Sequence, residues 1–177
     1  MEYFRPNPEL EEAYDKATEL EEVYDKAISY GERIARLEEI IKKSPEHAYR
    51  YAYNVIKGRW PEAEETIKLS TYYVHHYSKN VIKGRWPEAE EIIKKSPYHT
   101  LLYSKHVIKG RWKEAESVIV TDPEYAYYYA KDVIGGKLPE DMHKAMLLHS
   151  FESNRNDSGL SRSSKDYLKE YFEFIKQ

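Results

Sequence analysis

The sequence predicts an all-α fold: a right-handed α-solenoid of short helical hairpins, with a 26-residue repeat, about four to five units, and N- and C-terminal capping helices. Three observations predict it. Gly58, Gly84, Gly110 and Gly136 stand 26 residues apart. Tyr51, Tyr77, Tyr103 and Tyr129 keep the same step, as do Val55, Val81, Val107 and Val133. The eleven residues from Val55 to Glu65 (VIKGRWPEAEE) recur letter for letter from Val81 to Glu91, and Val107 to Glu116 changes only the proline, to Lys113. A fixed period of this length is the signature of stacked supersecondary units.

Each unit parses into two helices. The first opens at Ser44-Pro45, Ser96-Pro97 or Asp122-Pro123. There a hydroxyl or carboxylate caps free amides, and proline at the first helical position loses nothing. Ser70-Thr71 keeps the cap without the proline. Ala48, Tyr51, Ala52, Val55 and Ile56 then recur at helical spacing and mark one buried face. The position after each repeated tyrosine is small (Ala52, Ser78, Ser104, Ala130), which lets a neighbouring helix come close. The repeated glycine is expected to end this helix in the left-handed conformation that other residues resist.

The second helix starts at Trp60, Trp86 or Trp112 and carries Ala63, Ala89 or Ala115 and Ile67, Ile93 or Ile119 on the same face. Glutamates crowd its first turn, where the helix dipole favours them. Helices of roughly twelve and nine residues do not hold alone in water, so order must come from stacking on neighbours.

This divides the chain into N-terminal capping helices with a divergent first repeat (1–44), the array (45–149), a polar linker (150–164) and a C-terminal helix (165–177). The N-terminal part carries a local duplication, LEEAYDKA then LEEVYDKA. The last unit degrades: Leu138 replaces the tryptophan, and Met142 and Met146 follow. The helix with Tyr167, Leu168, Tyr171, Phe172 and Ile175 on one side either covers the open end of the array or engages a partner.

Composition narrows the function classes. With no cysteine among 177 residues, disulfides, thiol nucleophiles and thiolate metal sites are excluded. No apolar run spans a bilayer and the start has no signal-peptide core, so a cytoplasmic location is expected and no membrane partner. Eighteen tyrosines against four phenylalanines suit thin cores whose walls stay near water. Net charge is −3, but residues 1–46 balance to −6, residues 47–113 to +7 and residues 114–177 to −4. Acidic ends around a basic middle allow head-to-tail self-association.

The phrase Val-Ile-Lys-Gly-Arg-Trp-Pro-Glu-Ala-Glu, within residues 45 to 148, resembles short helical repeats of uncharacterised tailed-phage and other viral proteins. In architecture it is similar to a tetratricopeptide-type solenoid with a shorter unit. The resemblance implies a phage or viral origin, hence a host-cell cytoplasm, and a helical solenoid; it implies no activity.

The candidate partner-binding residues form two sets. Lys57, Arg59, Lys83, Arg85, Lys109 and Arg111 flank the repeated glycines. In a stacked array these turns line up about 10 Å apart, the spacing of packed helices. They either meet an anionic partner or, for the arginines, pair with a glutamate of the Glu-Ala-Glu triplet. Tyr49, Tyr73, Tyr98 and Tyr125 lie off the core face, where rings serve as interface hot spots or stack on bases. Tyr53, Tyr72, Tyr127 and Tyr128 are also off it. The histidines are too scattered for a metal site, and Met142, His143, Met146 and His149 read as a terminal cap before a ligand box. Neither metal nor cofactor is expected.

No nucleophile–base constellation and no phosphate-cradling glycine loop appears, so no enzyme is expected. The function expected is that of a phage- or virus-encoded protein-interaction repeat that binds a host protein and blocks it, as anti-defence factors do. Nucleic-acid or nucleotide binding along the Lys/Arg edge is the first alternative, and a self-assembling structural part the second.

Overall fold

The computed structural model of the chain describes residues 19–29, 35–156 and 163–176. Among them every regular element is helical and there is no strand. The helices are α1 (residues 19–29), α2 (Ala35–Ile41), α3 (Pro45–Tyr51), α4 (Pro61–Ile67), α5 (Thr71–Tyr77), α6 (Glu90–Ile93), α7 (Pro97–Tyr103), α8 (Glu116–Ile119), α9 (Pro123–Tyr129), α10 (Glu140–Asn156) and α11 (Ser163–Phe174). Four five-residue π-helical segments continue α3, α5, α7 and α9 without a break: π1 (Ala52–Ile56), π2 (Ser78–Ile82), π3 (Ser104–Ile108) and π4 (Ala130–Ile134). The chain forms two compact units, residues 1–73 and 74–177.

The proline-led starts are capped as the sequence predicts. Ser44 Oγ accepts the His47 amide, Ser96 Oγ the His99 amide, and Asp122 Oδ1 the Glu124 amide. The tryptophan-led helices open with one repeated bond, in which the alanine amide reaches the tryptophan carbonyl: Ala63 to Trp60, Ala89 to Trp86 and Ala115 to Trp112, at 2.9 to 3.0 Å. Acidic residues fill these first turns.

The helix ends correct the sequence expectation about glycine. The left-handed residues are Lys57, Lys83 and Lys109, at φ 56°, 59° and 58°, and in the fourth position Gly135 at φ 73°. The repeated Gly58, Gly84, Gly110 and Gly136 come one residue later. They send their amides back to Ala52, Ser78, Ser104 and Ala130 at 3.1 to 3.2 Å. The lysine or Gly135 amide reaches that same carbonyl. A π segment widens the final turn by one residue, and this shifts the chain reversal off the repeated glycine. Ser78 and Ser104, fully buried, donate their hydroxyls to the carbonyls of Val74 and Thr100, both at 2.8 Å.

In the first unit, α3 packs against α2 and α4. Tyr24 of α1 meets the His47 ring edge-on, lies under Arg50 and accepts from Asn54 Nδ2 at 3.0 Å. Buried Tyr51 and Trp60 lean together with centroids 5.1 Å apart. In the second unit the same pairing recurs as Tyr77–Trp86 and Tyr103–Trp112, at 5.0 and 5.1 Å. Ala89, Ile93, Ala115 and Ile119 fill the core beside them. There α7 packs on α6, α8 and α9, and π3 lies beside both π2 and π4.

The C-terminal part extends its helix beyond the expected boundary at 149: α10 runs to Asn156. Among the alternatives for the last helix, α11 lies along α9, with Tyr171 fully buried. Leu138, Met142 and Met146 belong to the same apolar cluster as Tyr171, so the methionines here are core. No helix among the described residues is long and apolar enough to cross a membrane. The acidic stretch 1–18 and the segment 157–162 lie outside the described residues.

Candidate functional site

The arginine half of the expected cationic ladder is tied into the protein. Arg59 donates Nε and one terminal nitrogen to the two carboxylate oxygens of Glu64, both at 2.8 Å. Arg85 does the same to Glu90 at 2.7 Å, and Arg111 to Glu116 at 2.8 Å. All three glutamates are buried. Two parallel charge-assisted bonds make this the strong form of an Arg–carboxylate contact. The hydrogen bonds from Arg85 and Arg111 hold those guanidinium groups above their usual ionisation range.

Each of these carboxylates in the second unit takes a third bond from a tyrosine of the following copy. Tyr103 donates its hydroxyl to Glu90 at 3.3 Å and accepts the Trp86 amide at 2.7 Å. Tyr129 donates to Glu116 at 3.1 Å and accepts the Trp112 amide at 2.9 Å. Burial pushes the Tyr103 phenol up to about 12, and Tyr129 upward likewise. In the first unit Tyr51 donates to Glu38 at 3.1 Å, and Glu38 stands 26 residues before Glu64. At the C-terminal end Tyr171 supplies the missing ring: its hydroxyl accepts the Leu138 amide at 3.2 Å. Leu138 holds the tryptophan position, and Met142 stands where the carboxylate would be. His143 Nδ1, 2.9 Å from the Tyr171 oxygen, takes the third place. The period of Glu38, Glu64, Glu90 and Glu116 was the sequence signal for this network, but a run of glutamates also suits a helix start and hides it.

The lysine half is free of such ties. Lys57, Lys83 and Lys109 are exposed, and among the described residues they form no ion pair. Lys105 by contrast pairs with Asp132 at 2.8 Å.

The expected tyrosines fall into two clusters. Tyr49 and Tyr73 are half-buried with centroids 5.9 Å apart. Tyr49 also stacks on Tyr53 at 6.2 Å, and Tyr73 meets Tyr72 edge-on at 5.0 Å. Tyr53 and Tyr72 stand 51% and 52% exposed. Burial and a hydrogen bond to Glu46 push the Tyr73 phenol up to about 12. In the second unit Tyr98, 45% exposed, lies 5.8 Å from half-buried Tyr125. Tyr127 and Tyr128 pack against α11 through Tyr167.

The histidines gather more than their spacing suggests. His75 is 2% exposed, and its ring lies 5.0 Å from His76 and 5.6 Å from His106. Burial first, then the neighbouring His76, His106, Lys79 and His99, pushes its imidazole down to about 3. His76, His99 and His106 are lowered too, each chiefly by burial. Among the described residues no group of three or more histidine or acidic side chains is arranged to hold a metal ion.

These features describe an all-helical protein with a buried polar network and an exposed cover of tyrosine and lysine. No known protein family, characterised protein or solved structure matches the chain.

Proposed function

We propose that the chain is a helical-repeat scaffold, an α-solenoid of 26-residue units, that binds a protein partner through its exposed tyrosines. The observation that carries this is the division of labour among its side chains. The arginines are locked onto buried glutamates, while Tyr53, Tyr72 and Tyr98 hold rings in water at the rims of aromatic clusters. Exposed rings braced by neighbouring rings are ordered before contact. They lose little conformational entropy on binding, which is why tyrosine is frequent among interface hot spots. The resemblance of the VIKGRWPEAE phrase to phage and viral repeats supports a phage- or virus-encoded origin. In that setting the partner is a host protein, and occupying it blocks a defence function.

A photo-crosslinking residue at Tyr53, Tyr72 or Tyr98 tests the proposal in the native host. One protein recovered in stoichiometric amount from several of these positions, and lost when the three tyrosines become alanine in the folded chain, is the expected result. No dependence on those tyrosines overturns it.

The nucleic-acid alternative keeps only the lysines 57, 83 and 109 once the arginines are paired. Its requirement is an oligonucleotide affinity that falls steeply with salt.

A further inference from the structure

The residue that turns the chain after each π segment needs the left-handed backbone, and L side chains resist that conformation. The fourth position meets the need with Gly135, at φ 73° and with no neighbouring atom within 4 Å of an added Cβ. The first three use Lys57, Lys83 and Lys109 at nearly the same φ. Glycine therefore fits this turn, and lysine is kept there against a backbone preference. Interaction with the helix dipole does not account for it, because Lys79 in π2 and Lys105 in π3 already place cations in the last turn. Strain held at a solvent-facing charged residue is the pattern of a functional position.

The three amines are exposed and form no ion pair among the described residues, whereas the arginine two residues on is neutralised by its glutamate. In the second unit π2 lies beside π3, so Lys83 and Lys109 leave adjacent turns. Packed helices stand about 8 to 10 Å apart. Carboxylates seven residues apart on a helix are separated by about 10.5 Å along its axis. Phosphates follow one another every 3.4 Å along a strand of duplex, so one lysine per turn would skip most of them.

We propose that Lys83 and Lys109 are contact residues for an acidic partner helix that presents carboxylates seven residues apart, with Lys57 playing the same part in the first unit. This rests on the protein-binding proposal above and names the partner's chemistry.

The test uses the full chain and two double variants. Lys83→Gly with Lys109→Gly removes both charge and strain; Lys83→Gln with Lys109→Gln removes the charge and keeps the strain. The probes are a synthetic alanine/glutamine helix with glutamate at every seventh position, the same composition with its glutamates respaced, and a single-stranded oligonucleotide. The unaltered chain is expected to prefer the heptad-spaced peptide. Both variants should weaken that binding roughly tenfold, as two exposed ion pairs allow. The glycine variant should melt at a higher temperature than the unaltered chain, and the glutamine variant should not. Equal binding of both peptides, unchanged binding by the glycine variant, or a lower melting temperature for it overturns the inference. If the peptides fail while tyrosine-dependent crosslinking succeeds, only the lysine assignment falls. If the oligonucleotide alone binds, and loses affinity in both variants, the protein-binding proposal falls with it.

Discussion

The hydroxyl of Tyr103 accepts the backbone N–H of Trp86, seventeen residues earlier, at 2.7 Å. The same hydroxyl donates to Glu90, whose carboxylate already holds Arg85. One phenolic oxygen thus satisfies a buried amide of the preceding copy and links it to a buried ion pair. Tyr103→Phe keeps the ring and removes both bonds. Leaving a buried amide unpaired costs about 1 to 3 kcal/mol. Urea unfolding should show a loss in that range, and Tyr129→Phe should match it through the Trp112 amide. A loss near zero in both would mean that water replaces the phenol.

The arginines predict a fold effect before any binding effect. Arg85→Ala leaves Glu90 buried with one charged partner fewer. Breaking a fully buried pair costs about 3 to 5 kcal/mol, but the Arg85 side chain is 47% exposed. Solvent screening brings the expected loss down to about 1 to 2 kcal/mol. Charge reversal at Arg59, Arg85 and Arg111 together should unfold the chain. A loss of ligand binding in such a variant therefore reports on folding, which circular dichroism will reveal.

Acid should destabilise the second unit through His75. Its folded ionisation near 3 lies below the value of about 6.5 for an unfolded histidine. Between those limits the unfolded chain binds a proton that the folded chain refuses. Stability is therefore full above about pH 7 and falls as pH drops toward 3, by on the order of 3 to 5 kcal/mol for a group this deeply buried. The groups facing it, His76, Lys79, His99 and His106, are all basic and push the same way. His75→Leu, the residue at the matching position 101, should flatten the melting-temperature profile between pH 4 and 7. An unchanged slope would assign the acid sensitivity elsewhere.

Tyr171→Phe tests the attachment of α11. The Leu138 amide and His143 Nδ1 both lose their contact with the phenolic oxygen. The expected loss is about 1 to 2 kcal/mol, and amide exchange should accelerate first across α11. Uniform acceleration over the whole unit would show instead that α11 and the core open together.

Much of the fold was legible because period and polarity reinforce one another. Tyr51, Trp60, Ala63 and Ile67 are buried, as their spacing requires, and each recurs 26 residues later in the same state. The turn was not legible. Lys-Gly reads as a glycine-ended α-helix, and only the extra residue of the π segment moves the left-handed position onto the lysine. The candidate site was legible as a list of residues and not as partnerships. Arg59 and Glu64 are five apart across a helix start, a separation that no helical periodicity singles out. Tyr171 substitutes for a repeat tyrosine from 33 residues beyond Leu138 rather than seventeen, so no period leads to it.

The borrowed phenol also sets rules for how a chain like this can lengthen. A whole 26-residue segment spliced in at any point brings both the tryptophan amide that needs a phenol and the phenol that its predecessor needs. A segment of any other length leaves a donor stranded at the seam. The final copy always lacks a successor, so its terminus has to carry a counterfeit. Here Leu138 with Met142 lowers the demand by dispensing with the carboxylate, and Tyr171 answers what is left. Variation in copy number is thus inexpensive for this sequence, and variation in its last forty residues is not.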